Sequence, residues 1–582
     1  MTRADGPELR AERYTFTYGS ADAPQLRDLT FAVGKGERVA VMGATGAGKT
    51  TLAMSMNGLI PHHHEGTTTG LLEVAGQDTS AATIADLVRH VGLVMQDPES
   101  QITGRYARDD AAVGPANLGL PRAEVLARAL AALVEVGLGD LADRDTAQMS
   151  GGQQQRLAIA GILAMRPEVL VLDEPTSELD PAGTEQVFAV VREVSAQTGR
   201  TVVLVEHEPE LVAAWADRLL VLTNGALVFD GPPADFFAQA DLVAAAGLRP
   251  PGVTEAVATL RAAGLTPVPD GGARLPVTVA EALAELGPFR RGARVTEPQT
   301  DATDAPDAAC TGGPVMVQAV DLDHRYPSGV QALTGVDLQV RRGDFVALLG
   351  RNGAGKTTFA RHLNGLLRPT TGSVHIKGEP TASRKLHEIA TEVGYVFQNP
   401  DHQIFAASVR EEIGFGLKNL GRDADRIEER VQQVLDQVGM PGLADVHPYR
   451  LGKGQRQRLA VASVLALEPE ILVIDEPTTG QDWTGSVAMM DLVADLNASG
   501  HTILMITHDM LLAARYARRA VVFDGGRVRA DRPIHELFAD PDLLRDAHLR
   551  PPQVTELALA LGLPPVTSAD EFAAVWGGAR VS

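Results

Sequence analysis

Two stretches of this chain carry the residue types that handle phosphate. Gly43-Ala44-Thr45-Gly46-Ala47-Gly48-Lys49-Thr50 and Gly350-Arg351-Asn352-Gly353-Ala354-Gly355-Lys356-Thr357 share the spacing G-x-x-x-x-G-K-[ST], and a further threonine, Thr51 or Thr358, follows each. Glycines let consecutive backbone N–H groups converge on phosphate oxygens, and a helix beginning at the lysine adds the positive end of its dipole. Lys49 and Lys356 are placed to reach the β- and γ-phosphates, and Thr50 and Thr357 to offer a hydroxyl to Mg²⁺. A plain glycine-rich turn is the alternative, and two matches in the same strand-to-helix context argue against it. Downstream, two apolar strands end in paired acids, Asp173-Glu174 and Asp475-Glu476, each followed by Pro-Thr. Such a strand delivers carboxylates to the sheet edge where ligands bind. The first acid of each pair suits the Mg²⁺ shell, and the second suits a base that orients and deprotonates an attacking water.

Every one of these features occurs twice because the sequence is an internal repeat. VGLVMQDPESQI returns as VGYVFQNPDHQI, VLVLDEPTSELD as ILVIDEPTTGQD, and TVVLVEHEPELV as TILMITHDMLLA. Gln96 and Gln398 stand 302 residues apart, as do Asp173 and Asp475. A constant spacing means two homologous domains in tandem. In each, short β-branched runs (ERVAVMG, VLVLDEP) alternate with helical stretches (KTTLAMSMNGL), which predicts an α/β fold with a mostly parallel sheet. We place the first domain at 1–245, its appendix at 246–290, a linker at 291–313, the second domain at 314–546 and its appendix at 547–582. The appendices open on the related segments GLRPPGVTEAVATL and HLRPPQVTELALAL. The linker is rich in Thr, Ala, Asp and Pro and has neither helical nor strand period.

The bulk composition narrows the function. The chain has 582 residues, ample for two cores, and its net charge of −22 argues against the basic footprint of a nucleic-acid binder. A single cysteine, Cys310, leaves no intrachain disulfide and fits a reducing compartment. The first residues, MTRADGPELRAER, have no apolar core, so no signal peptide is expected, and no apolar run is long enough to span a bilayer. Any membrane role therefore runs through a partner.

The order of these motifs resembles the ATPase domains of ABC transporters over nearly the whole chain outside the linker: a phosphate loop, a lone glutamine (Gln96, Gln398), a signature, Asp-Glu, a D-loop aspartate (Asp180, Asp482) and a switch histidine (His207, His508). The resemblance implies two P-loop NTPase domains, each with a helical subdomain, that pair head to tail and bury two ATPs. Each ATP would lie between one domain's phosphate loop and the other's signature. It implies Glu174, Glu476, His207 and His508 in catalysis, and Thr50, Gln96 and Asp173, or Thr357, Gln398 and Asp475, around Mg²⁺. It also implies Tyr18 and Tyr326 stacking on adenine, an ordinary strand tyrosine being the alternative. Ser150-Gly151-Gly152-Gln153 keeps the family's signature, whereas the second copy reads Gly452-Lys453-Gly454-Gln455 and lacks the serine hydroxyl. Lys453 either compensates at the phosphate or crowds the interface, so the ATP held by Lys49, Glu174 and His207 is expected to sit in the weaker site.

A narrower resemblance is to the fused ATPases of energy-coupling factor (ECF) importers, carried by QDPESQI, QNPDHQIF, NGLIPH, VGPANLGLP and the RPP segments. It implies uptake of a vitamin or transition metal, with an integral membrane scaffold subunit and a small substrate-binding membrane subunit as partners. It also implies a peripheral position on the cytoplasmic face of the cell membrane. Glu99 and Asp401, each three residues after its glutamine, are expected to meet an arginine of the scaffold, solvent-facing acids being the alternative. His62-His63-His64 reads as a solvated loop in preference to a metal tract, since no cysteine or acidic cluster completes it. The fused ATPase of a sugar importer and a soluble ABC-type translation factor are the rival readings. The short acidic linker weighs against the latter, and the lack of a coiled coil or zinc cysteines weighs against a DNA-repair ATPase.

Overall fold

The computed structural model describes residues 7–177, 179–266, 274–290 and 313–578. The chain divides into two compact units, Met1–Leu286 and Gly287–Ser582. Apart from Gly313, the expected linker falls outside the described residues.

The first unit runs β1 (Leu9–Tyr18), β2 (Leu26–Val33), β3 (Arg38–Met42), β4 (Gly66–Val74), β5 (Gln77–Asp78), β6 (Val91–Val94), β7 (Val169–Asp173), β8 (Thr201–Val205), β9 (Arg218–Thr223) and β10 (Ala226–Gly231). The antiparallel sheet has the order β2-β1-β4-β5 and the larger one β10-β9-β3-β8-β7-β6. In the larger sheet only the β9–β10 pair is antiparallel. β7 and β8 are buried at every residue. Burial on both faces is why they read as unbroken Val/Leu runs and not as alternation.

The second unit repeats this plan with β11 (Val315–Arg325), β12 (Gln331–Arg341), β13 (Phe345–Leu349), β14 (Thr371–Ile376), β15 (Glu379–Pro380), β16 (Val393–Val396), β17 (Ile471–Asp475), β18 (Thr502–Ile506), β19 (Arg519–Asp524) and β20 (Arg527–Pro533). Its sheets have the orders β12-β11-β14-β15 and β16-β17-β18-β13-β19-β20.

Between β6 and β7, helices Ala107–Asn117, Arg122–Glu135 and Gly151–Leu163 pack their apolar stripes together, with Ala111, Leu133 and Leu157 in one core. Helices Val409–Asn419, Ala424–Gln437 and Lys453–Leu465 do the same in the second unit. The final helices of the first unit include Gly252–Ala262, preceded by the pair Pro250-Pro251. Arg249 ties this turn to the body through a forked pair with Glu210, at 2.5 and 2.8 Å.

Strand and signature helix meet without slack. A Cβ on Gly92 in β6 would lie 2.1 Å from Ile162 Cγ2, and one on Gly394 in β16 would lie 2.2 Å from Val464 Cγ1. Overpacking of this kind costs about 1–3 kcal/mol. Gly92→Ala and Gly394→Ala are each expected to lower the stability of their own unit by that amount, read as an earlier midpoint in urea unfolding. An unshifted midpoint would show that the helix seat yields.

Candidate functional site

Each phosphate loop leaves the end of a central parallel strand, β3 or β13. Gly43 has φ +153° and Gly350 φ +141°. A Cβ there would stand 2.3 Å from the Leu222 carbonyl oxygen, or 2.2 Å from that of Phe523. Neighbouring backbone therefore closes the base of the loop, and only glycine fits. The helices Lys49–Met56 and Lys356–Leu363 start at the lysines. Lys49 Nζ donates to the carbonyls of Gly43 and Ala44 at 2.9 and 3.1 Å. Lys356 Nζ does the same to Gly350 and Arg351 at 2.6 and 3.0 Å. The ammonium is thus held over the loop. Tyr18 and Tyr326 stand against the same helices, their hydroxyls 3.2 Å from Thr51 Oγ1 and 3.1 Å from Thr358 Oγ1.

The paired acids arrive at the same place. Asp173, Glu174, Asp475 and Glu476 are all buried. Glu174 and Glu476 both have φ +47°, a left-handed conformation that a glutamate adopts only under constraint. Lys49 Nζ lies 4.0 Å from Glu174 Oε1, and His207 Nε2 pairs with that same oxygen. In the second unit His508 Nδ1 is 3.2 Å from Glu476 Oε1. Gln398 Nε2 and Thr479 Oγ1 both donate to Glu476 Oε2 at 3.0 Å, whereas Gln96 Nε2 donates to Ser177 at 3.3 Å. Burial, then the adjacent Glu174 charge, pushes the Asp173 carboxyl up to about 6. Burial raises Asp475 too, partly offset by hydrogen bonds from Tyr395 and Thr357. Burial also acts to raise Glu476, but His508, Thr479 and Lys356 together outweigh it and hold the carboxyl below its usual range.

The signature segments sit beside the D-loop of their own unit. Ser150 Oγ accepts from Gln153 N, and Gln153 Oε1 accepts from Ser150 N at 3.0 Å. Without the serine, Gly452 N still donates to Gln455 Oε1 at 3.1 Å, so the helix start survives the substitution. Lys453 Nζ lies 2.1 Å from where a Cβ on Gly480 would be, so the lysine occupies the space that this glycine leaves. Asp180 and Asp482 cap the helices after them, each accepting from the glycine three residues on at 2.8 Å. Glu99 and Asp401 are both exposed in the turns after their glutamines, but Asp401 is engaged by Arg456 of its own unit at 2.8 Å. The first unit has Gln154 at the position of Arg456. His62 Nε2 lies 2.9 Å from the Thr79 carbonyl oxygen, while the rings of His63 and His64 meet edge to face.

A glycine-lined phosphate loop, buried Asp-Glu pairs and a histidine on the second acid, present twice, define a P-loop ATPase. The profile of the family described as ABC transporter matches residues 26–177 and 333–479. The chain is 39% identical over 568 residues to a protein of Caldanaerobacter subterraneus subsp. tengcongensis named as an ABC transporter ATP-binding protein, covering 97% of each. It is also 39% identical over 560 residues to one of the same description from Methanosarcina acetivorans, covering 95% of this chain and 90% of that one. A solved structure described as cbiO1 from Clostridium perfringens, part of the ABC transporter complex cbiONQ, is 33% identical and aligns with 42% of this chain and 99% of its own, at a TM-score of 0.38. This chain belongs to the ABC transporter family. It is an ATP-binding, ATP-hydrolysing subunit with both ATPase domains on one polypeptide, and among the described residues no helix is long and apolar enough to cross a membrane.

Side chains beyond those assigned from the sequence also stand at these sites, Arg456, Tyr395 and Thr479 among them. Another is Glu206, buried just before His207. Glu206 Oε2 accepts from the His207 backbone N–H at 2.7 Å, and its other oxygen accepts from the Thr176 hydroxyl. The second unit has Thr507 at that place. The exchange is visible when VEHE is set against ITHD, but nothing in either string shows that the glutamate points inward.

Burial, partly offset by the Thr176 and His207 hydrogen bonds, pushes the Glu206 carboxyl from 4.5 up to about 7. The folded unit therefore keeps a proton that the unfolded chain has released above about pH 4.5. Stability tied to that proton is fully present below pH 4.5 and lost as pH rises through about 7. Glu206→Gln mimics the protonated acid and is expected to remove this loss, on the order of 1–3 kcal/mol at pH 8. Urea unfolding of both chains at pH 5 and pH 8 checks it, and parallel pH profiles would refute it.

Proposed function

We propose that the chain energises an ECF-type importer of a vitamin or transition metal, from the cytoplasmic face of the cell membrane. Its partners in this reading are a membrane scaffold subunit and a small substrate-binding membrane subunit. The observation that carries it is the duplicated Q-loop stretch, QDPESQI and QNPDHQIF, together with the RPP helical appendix after each ATPase body. Purification from the native membrane tests it. Recovery of the two membrane subunits is the expected result; a sugar-importer permease or a ribosome in their place would sink it.

In this reading the two units pair head to tail around two ATPs. The loop glycines and Lys49 or Lys356 hold the phosphates, and Tyr18 or Tyr326 stacks on adenine. Glu174 or Glu476 takes the proton of the attacking water while His207 or His508 fixes that carboxylate. The hydroxyls of Thr50 and Thr357, the carboxylates of Asp173 and Asp475 and the amide oxygens of Gln96 and Gln398 are the hard donors that suit Mg²⁺. Asp173 Oδ1, buried and without a hydrogen-bond partner, fits a cation there. Mg²⁺ held by these groups would supply positive charge against that of the phosphate oxygens.

Replacing both glutamates, Glu174→Gln with Glu476→Gln, is expected to cut hydrolysis by ~10²–10⁴-fold while ATP still binds. The single variants should differ. The site of Lys49 would be capped by Gly452-Lys453, where one hydrogen bond to a charged group is missing, a loss of about 1.5–3 kcal/mol. That is roughly ten- to a hundred-fold in rate. Glu476→Gln should therefore lower steady-state turnover far more than Glu174→Gln, and Gly452→Ser with Lys453→Gly should narrow the gap. Equal losses in the two single variants would refute the asymmetry.

Docking would use Glu99 and Asp401 against a scaffold arginine, a charge-assisted pair. Glu99→Ala with Asp401→Ala is expected to weaken co-purification of the scaffold and leave nucleotide binding intact. Undiminished co-purification would reject the contact.

A further inference from the structure

The two units part company directly behind the acids assigned to Mg²⁺. In the second unit Asp475 is held from the side by the neighbouring strand. Tyr395, buried in β16, donates its hydroxyl to Asp475 Oδ2 at 2.8 Å. The same oxygen accepts from Thr357 Oγ1 at 3.2 Å. Arg361, on the phosphate-loop helix, is hydrogen-bonded to Tyr395 in turn. Parallel pairing fixes this geometry, with Tyr395 opposite Val473 and Val396 opposite Ile474, one residue short of the aspartate.

The first unit keeps the backbone and loses the hydroxyl. Leu93 stands in β6 opposite Val171, where Tyr395 stands in β16. Met54 stands on the phosphate-loop helix at the place of Arg361. Asp173 keeps a hydrogen bond from Thr50. Its Oδ1 is buried with no hydrogen-bond partner.

A carboxylate with one oxygen pinned by two hydroxyls has its rotamer set, and the other oxygen is presented before any cation arrives. Where that pinning is missing, the cation itself must order the side chain. Partners that orient metal-binding carboxylates are worth roughly 10–100-fold in metal affinity. We propose that Tyr395 is a positioning residue for Mg²⁺, so that the Lys356 site fills with Mg²⁺-nucleotide at a lower Mg²⁺ concentration than the Lys49 site. This rests on the assignment of Asp173 and Asp475 to the Mg²⁺ shell given above.

The test uses the full chain with one phosphate loop disabled, Lys49→Ala to report the second site or Lys356→Ala to report the first. Binding of a fluorescent, non-hydrolysable ATP analogue is followed while free Mg²⁺ is varied. The Lys49→Ala chain should reach its midpoint at a lower Mg²⁺ concentration than the Lys356→Ala chain. Adding Tyr395→Phe, which keeps the ring and removes only the hydroxyl, should raise the Lys49→Ala midpoint about tenfold. Tyr395→Leu, copying the first unit, should raise it similarly. Analogue affinity without Mg²⁺ should stay unchanged in both, which a merely structural effect would not allow. An unmoved midpoint in Tyr395→Phe overturns the positioning role. Analogue binding that ignores Mg²⁺ in every chain overturns the Mg²⁺ assignment itself, and the two failures are told apart by the parent chains alone.

Discussion

Two adjacent carboxylates buried at the end of an apolar strand are the constraint around which each unit is arranged. Burial opposes their charge, and in each pair the glutamate raises the proton affinity of the aspartate before it. The surroundings supply what water would have supplied: a lysine and a threonine from the start of the phosphate-loop helix, a histidine after β8 or β18 and, in the second unit, a glutamine after β16. These groups come from separate parts of the chain, and the parallel sheet brings them together because β3, β7 and β8, or β13, β17 and β18, end at the same edge. The left-handed backbone at Glu174 and Glu476 belongs to the same arrangement. It is a local cost that the packed sheet edge sustains.

The contiguous parts of this arrangement were legible from sequence. A phosphate loop is a string of neighbours, and its function follows from residue types at fixed spacing. The sheet was legible as well, since fully buried parallel strands leave unbroken apolar runs. Contacts between distant residues of ordinary type were not legible. Tyr395 in VGYV reads as a core residue of a buried strand, and nothing in the string shows that its hydroxyl finds an aspartate 80 positions away. Glu206 beside His207 reads as one more polar residue at a strand end. Arg456 reads as the solvated face of a helix, although it occupies Asp401. In each case the decisive fact is the direction of a side chain, which composition and periodicity do not encode.

Duplication made some of this recoverable, because each unit is a control for the other. Among the departures are Leu93 against Tyr395, Glu206 against Thr507, and Ser150-Gly151 against Gly452-Lys453. The lysine of the altered signature fills the space over Gly480, while the helix start keeps its glutamine cap. The second signature is therefore a rebuilt local structure with its own partner, and not a motif decayed into irregular chain.

The glycine seats in β6 and β16 bear on how force travels through a unit. Ile162 presses on Gly92, and Gly92 leads within a few residues to Gln96. The signature lies at the far end of the same helix, about 16 Å away at 1.5 Å per residue. That helix is seated on the strand that leads to the glutamine. A tilt of about ten degrees there would swing the signature by about 3 Å.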